Sequence, residues 1–362
     1  MAGVIDVGRA SWLGFRWQGH GLGGSCADDV LERLLLLGFQ DSRQVGAAQS
    51  MIQRTRGVRS KRVGEAISPD GPLVSMWSWR VAPHAHPVER LDFVRDVLAP
   101  REPDQGGAAR VEAVGEVAAA LGAVVTGPMS KGEASGEVTE RVRGELVEWC
   151  SRCEARHVPD TLFRVAGRQA QIVLGGGEQR AAMLYPRPEH RQEKAENPRL
   201  ETLNTYLQVN GPTTRTLFRD WLDGGTTSTS GLWKELDDLV RVQIGPRRYD
   251  LPEAMLDAVR NAPEPAGVVL VPANDPYLRQ VDRALLVPDA KRRGQVWRPL
   301  SGPGALLVDG EVAGTWRYRR SDRELTVSAF DRVPPARREE AEKSAALAAE
   351  AVGDDHPKVV WA

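Results

Sequence analysis

Cysteine, histidine, long apolar runs and net charge are all scarce in this chain. Three cysteines in 362 residues, two of them close together as Cys150 and Cys153, do not make the even, dispersed framework of a secreted disulfide scaffold. A reducing, cytoplasmic setting fits that usage better. No apolar stretch is long enough to cross a bilayer, and the amino-terminal MAGVIDVGRASWLGFRW lacks both an apolar core region and a small-residue cleavage site. No membrane partner is expected. The formal net charge is only -1 at pH 7, so bulk composition does not announce a nucleic-acid binder, and local charge has to carry any such reading.

What is present is a chain with 41% hydrophobic residues, long enough for two or three cores. Apolar periodicity predicts helices over 8–20, 28–37 and 45–54, then a strand over 71–80 behind the turn Ser68-Pro69-Asp70-Gly71. Helices followed by a strand pair is the layout of a winged helix. The pattern recurs with helices over 108–121, 138–157 and 159–171 and a wing strand over 179–185. It recurs again with helices over 200–209, 215–222 and 228–239, Thr213 placed to cap the second, and a hairpin over 240–251 about Gly245-Pro246. Short β-type runs over 266–332 predict a small barrel-like domain, and the Pro334-Pro335 pair opens an alanine-rich helix. The expected fold class is mainly α with β: tandem winged-helix domains over 1–106, 107–190 and 199–262, a small C-terminal β-barrel-like domain over 266–332, and a helix and tail over 333–362.

Winged helices set a recognition helix in the major groove and a wing against backbone, and arginines stand where that geometry would use them. QRTRGVRSKRV carries Arg54, Arg56, Arg59, Lys61 and Arg62; Arg247 and Arg248 flank the third unit's wing; Arg317 and Arg319 follow the strand DGEVAGTW. Each cluster alone reads as a solvated face. Three of them on hairpins or turns point to a shared groove for double-stranded DNA, although Glu65, Asp237 and Asp238 weaken the case. WSWRVAPHAHP supplies Trp77, Arg80, His84 and His86; on a strand both imidazoles would share one side. Without further ligands nearby, flat rings set beside a distorted duplex suit this segment better than a metal.

EWCSRCEARHVPD places Cys150, Cys153 and His157 at i, i+3 and i+7, one face of a predicted helix. A zinc site would need a fourth ligand, with Cys26 the one cysteine left to offer; the alternative is a buried, inert face. The expectation is no metal and no cofactor, with these three residues as the candidates were a metal to bind. LLLLGFQDSRQ ends the second helix with Gln40, Asp41 and Ser42 side by side, either a polar turn capping the leucines or groups held for chemistry.

VLVPANDPYLRQVDRALLVP and GALLVDGEVAGTWRYRR together resemble the carboxy-terminal signature of the winged-helix DNA glycosylases of the AlkZ/YcaQ type, with Asp275, Tyr277, Asp282, Arg283, Asp309, Gly310, Gly314, Thr315 and Trp316 at matching places. WSWRVAPHAH is similar to the family segment that carries Trp77, Arg80 and His84. The resemblance implies removal of alkylated or cross-linked purines from DNA without metal or cofactor. It also implies a motif of a glutamine, one apolar residue and a second glutamine or aspartate at the end of the second helix. Aligned on LGFQDSR, the first glutamine becomes Gly38; slid by one, Gln40 and Asp41 supply both functional groups with nothing between them. Consecutive residues on a helix point about 100° apart, so both reach one sugar only where the helix has already broken.

Three expectations follow. One is a DNA glycosylase in which Gln40 and Asp41 order the attacking water, Trp77 and His84 lie near the lesion, and wing arginines grip phosphates. Another is a non-catalytic winged-helix DNA-binding protein, a lesion sensor or regulator. The third is a protein-interaction module on the same scaffold.

Overall fold

Trp12, Leu13, Arg16 and Trp17 recur along one side of RASWLGFRWQG, and that spacing gives the helix Arg9–Gly19 a buried stripe. Gly14 lies so near the carbonyl of Pro263 that any side chain there would collide with it. The computed structural model describes residues 4–23, 26–41, 46–55, 60–102, 104–176, 182–229, 231–354 and 356–362, with no side-chain description at 60 and 61. The chain divides into two units: 1–65, 203–218 and 232–362 form the first, and 66–202 with 219–231 the second.

In the first unit, Ile5–Asp6 pairs in parallel with Leu239–Ile244, which turns back antiparallel as Arg247–Pro252. This is the hairpin expected over 240–251, where Val242, Ile244, Tyr249 and Leu251 point inward against Trp12 and Trp17. The C-terminal strands Val268–Val271, Gly304–Val308, Glu311–Arg319, Glu324–Ala329 and Lys358–Trp361 pair in chain order. No pairing joins the first to the last among the described residues, so they form an open sheet rather than a barrel. The helix Pro335–Glu350 lays Ala341, Ala345 and Ala348 against Leu270, Leu306, Leu325 and Val327; its small residues let it sit close on the strands.

The residues that carry the resemblance hold this unit together. Asp275 caps Pro276–Arg279 by accepting the Tyr277 amide, while both its oxygens receive the Arg54 guanidinium at 2.8 Å in a fully buried, two-pronged ion pair. Tyr277 donates its hydroxyl to the Gly310 carbonyl at 2.7 Å, and Trp316 donates Nε1 to Val271 at 2.9 Å. Asp282 caps Arg283–Leu286 and accepts the Tyr249 hydroxyl, tying the signature to the hairpin.

In the second unit the sheet order is Pro83–Pro87, Leu73–Trp77, Val173–Gly176, Ala182–Tyr185, Met129–Ser130. The helices Gly107–Val124 and Asp160–Gln169 give Val117, Leu121, Phe163 and Ala166 to its core. Lys131–Thr139 opens on a capping box, with Ser130 accepting the Glu133 amide and Glu133 accepting the Ser130 amide.

Two predicted helices are absent. The span 138–157 leaves the helix at Thr139, whose hydroxyl donates to the Ser135 carbonyl and accepts the Val158 amide. Past Gly144 it becomes the hairpin Glu148–Cys150 with Ala155–His157. Among its described residues the span 228–239 contains only the single tight turn Leu232–Lys234 before Leu239 starts its strand, with Asp238 left-handed at φ 38°. The architecture is mixed α and β. No helix among the described residues is long and apolar enough to cross a membrane.

Candidate active site and nucleic-acid interface

Leu34 and Leu37 anchor the helix Asp28–Leu37 in the first unit, and Asp28 and Asp29 suit the positive end of its dipole. Gly38 stops it: φ 74° with ψ 145° is a conformation open to glycine and strained for other residues. Phe39 and Gln40 are then extended. Side chains alternate on extended backbone, and burial follows suit: Phe39 is fully buried with the Arg54 guanidinium 5.5 Å from its ring, Gln40 is half-buried, and Asp41 is only 5% exposed. The helix has therefore broken before Gln40, as joint use of neighbouring residues would require. Asp41, directly after that strand, is more deeply buried than Gln40. Ser42 lies outside the described residues.

The basic residues separate into several kinds. Arg54 is not a surface cation: besides Asp275 it donates to the carbonyls of His20 and Ser50 at 2.7 Å, and this need for buried partners removes it from any phosphate-binding set. Arg62 is exposed; Arg56, Arg59 and the Lys61 side chain lie outside the description. Arg247 and Arg248 are exposed at the hairpin turn, Arg247 bound to Asp282 at 2.6 Å. Arg317 is exposed and donates to the Ser301 carbonyl at 2.7 Å; Arg319 pairs with Asp322 and with Glu324. The exposed Arg319–Asp322 pair contributes at most about 1 kcal/mol, whereas the Asp282 partner of Arg247 is buried.

The tryptophan and histidine segment, expected to insert beside a duplex, is built into the second unit. Trp77 is buried edge-on against Phe163 at 6.1 Å, in a space that exists because residue 167 is glycine. Trp79, the second tryptophan of this segment, is fully buried and lies 5.0 Å from Trp221. His84 and His86 do share one side, and both are buried. The Ser78 hydroxyl joins them, 2.9 Å from His84 Nδ1 and 3.0 Å from His86 Nε2. As placed, Trp77, His84 and His86 are framework and not probes, because each is held by packing or hydrogen bonds inside its own unit. Arg80 is half-buried at the hairpin tip and donates to the Trp221 carbonyl at 2.8 Å. Arg80 and Val81 are left-handed at φ 53° and 59°, a strain that surrounding structure must hold in place.

Sequence reasoning missed a set of buried arginines. Arg168 donates to the Ser78 and Leu98 carbonyls and lies 3.6 Å from Asp223. Arg16 donates to Asn210 and to the carbonyls of Tyr277 and Gln280. Burial holds both guanidinium groups below their ordinary pKa. The readable signal was an arginine inside an otherwise apolar stripe, as in WLGFRW and LFRVAGR. Next to Arg16, His20 donates Nε2–H to Asn210 Oδ1 at 3.0 Å, and burial, reinforced by Arg16 and Arg54, drives its pKa well below 6.5.

Cys150, Cys153 and His157 do meet, by a different route from the expected helix face. The hairpin brings their ligand atoms within 4.8 Å of one another. Nor is the face buried, since Cys153 is exposed and Cys150 half-exposed. The Cys153 and Arg152 amides and the His157 ring lower the Cys150 thiol to about 7.

A family model described as DNA glycosylase AlkZ-like matches residues 31–352 of this chain. Among solved structures, the DNA glycosylase AlkZ of Streptomyces sahachiroi is similar across 99% of this chain and 100% of its own, with a TM-score of 0.76 at 19% sequence identity. At that identity the likeness is one of fold. No curated protein sequence matches.

Proposed function

The chain belongs to the AlkZ-like DNA glycosylase family, and from that membership we propose that it excises alkylated or cross-linked purines from double-stranded DNA by water attack on the N-glycosidic bond. A cationic alkylpurine needs little protonation to leave. The protein's tasks are then to stabilise an oxocarbenium-like sugar and to hold one water. The observation that carries this reading is the conformation at 38–40: a glycine-terminated helix, then an extended Phe39–Gln40 that leaves Gln40 half-buried beside the buried Phe39. Gln40 Oε1 accepts a hydrogen bond from the water. Asp41, which is buried, lends negative potential rather than touching the sugar.

Arg62, Arg247, Arg248, Arg317 and Arg319 contact phosphates, and Arg56, Arg59 and Lys61 belong to the same proposed set. Arg80 approaches DNA from the strained hairpin tip that Trp77, His84 and His86 brace. The tandem winged-helix reading is supported in the second unit by the succession helix Gly107–Val124, strand Met129–Ser130, helices Lys131–Thr139 and Asp160–Gln169, then strands Val173–Gly176 and Ala182–Tyr185.

The test is release of free base from DNA carrying a methylated or cross-linked purine. Gln40→Ala should lose release by about 100-fold or more, the scale of a group that positions a reactant, while retaining DNA binding; Asp41→Asn should lose less. Full release by Gln40→Ala would refute the role given to that amide. Binding to DNA without release from any lesion would leave the non-catalytic sensor as the better description.

A further inference from the structure

We propose that Cys150, Cys153 and His157 form a zinc-binding site that braces the hairpin between the helices Lys131–Thr139 and Asp160–Gln169. Two thiolates and an imidazole make a donor set that suits zinc over harder cations. Tetrahedral ligation with Zn–S bonds of about 2.3 Å places ligand atoms about 3.8 Å apart. The three atoms already lie within 4.8 Å of one another, so small rotations about χ1 would close the site.

Three details prepare it. His157 Nδ1–H donates to the Val158 carbonyl at 2.8 Å, which fixes the tautomer and leaves the Nε2 lone pair for a metal. Nε2 is buried and makes no hydrogen bond of normal geometry, its interaction being with Cys150. The backbone amides of Arg152 and Cys153 favour the Cys150 thiolate, and Glu154 closes the turn at φ 50°. The nearby Asp160 is taken up by Lys131 and Arg164, and the exposed hairpin leaves a water to complete the tetrahedron that three protein ligands would begin.

The brace has a purpose in the local architecture. Each strand of the hairpin is three residues long, too short to hold its shape unaided. Yet it carries Trp149, 62% exposed, a large apolar ring presented to solvent. Coordination would fix the direction in which that ring projects.

The full chain, purified reduced and dialysed free of loose metal, should retain about one zinc per molecule by elemental mass spectrometry. Cobalt(II) should replace it with intense thiolate-to-metal absorption. Cys150→Ser and His157→Ala should each lower retained zinc and that absorption at least tenfold while far-UV circular dichroism stays unchanged. Proteolysis within 148–157 should accelerate on chelation. If a variant fails to fold, the cobalt spectrum of the unaltered protein decides alone. Zinc-free protein with no cobalt–thiolate band, a Cys150–Cys153 disulfide in freshly isolated protein, or zinc retained equally by both variants would each overturn the proposal.

Discussion

Removing the Asp275 carboxylate leaves the Arg54 guanidinium charged and without its partner in a site sealed from water. Asp275→Ala is expected to cost about 3–5 kcal/mol, read as a fall in the urea midpoint, and an Arg54→Met, Asp275→Leu double variant should regain much of it. His20 gives the protein a dependence on pH. Its folded pKa lies well below the ordinary 6.5, so the unfolded chain takes up a proton first as pH falls. The stability associated with the neutral ring is complete above pH 6.5 and is lost on acidification toward the folded pKa, by up to about 1.4 kcal/mol per pH unit. Urea titrations at pH 7.5 and 5.5 should show the loss, and His20→Gln should flatten the difference whatever its own stability.

At the scale of elements, Gly38 sets the direction of Gln40. Gly38→Ala forces a Cβ into a left-handed backbone, a strain of about 1–3 kcal/mol. The cheapest relief is to move the residues that follow. Base release should therefore fall well beyond what the reduced stability explains, as checked by assaying far below the melting temperature. The elements also show where sequence was sufficient. The hairpin at 240–251 was legible because strict alternation about Gly245-Pro246 fits nothing else, and the terminal helix because a proline pair leads a run of good helix formers. The Cys150 to His157 segment was not: i, i+3, i+7 spacing suits a helix, but Thr139 turns its hydroxyl back on the chain and Gly144 interrupts. At the site, the helix end before Gln40 could be read from a glycine after leucines. The depth at which Asp41 is buried beside a half-buried Gln40 could not, because burial is set by tertiary contacts. Arg54 was taken for a surface cation because its partner Asp275 stands 221 residues away, a distance over which no local pattern reports.

For the whole molecule, a net charge of -1 means that attraction to a polyanion must come from a minority of positions. Affinity for duplex DNA should fall steeply with salt, and each phosphate contact removed should lower the log–log slope by about 1. Arg248→Gln, at an exposed hairpin position, should do so equally on damaged and undamaged duplex, measured by fluorescence anisotropy across a salt series. An unchanged slope would take the hairpin out of the proposed interface.

The first unit is assembled from three stretches of chain, and its deepest ion pair unites residues 54 and 275. During synthesis at about 5–20 residues per second, the earlier member waits on the order of 10 to 40 s for the later one. Throughout that interval the nascent amino-terminal helices have neither their electrostatic anchor nor the C-terminal sheet. This protein should therefore lean on ribosome-associated chaperones, and a prematurely terminated product should be a substrate for quality-control proteases rather than a shorter working enzyme.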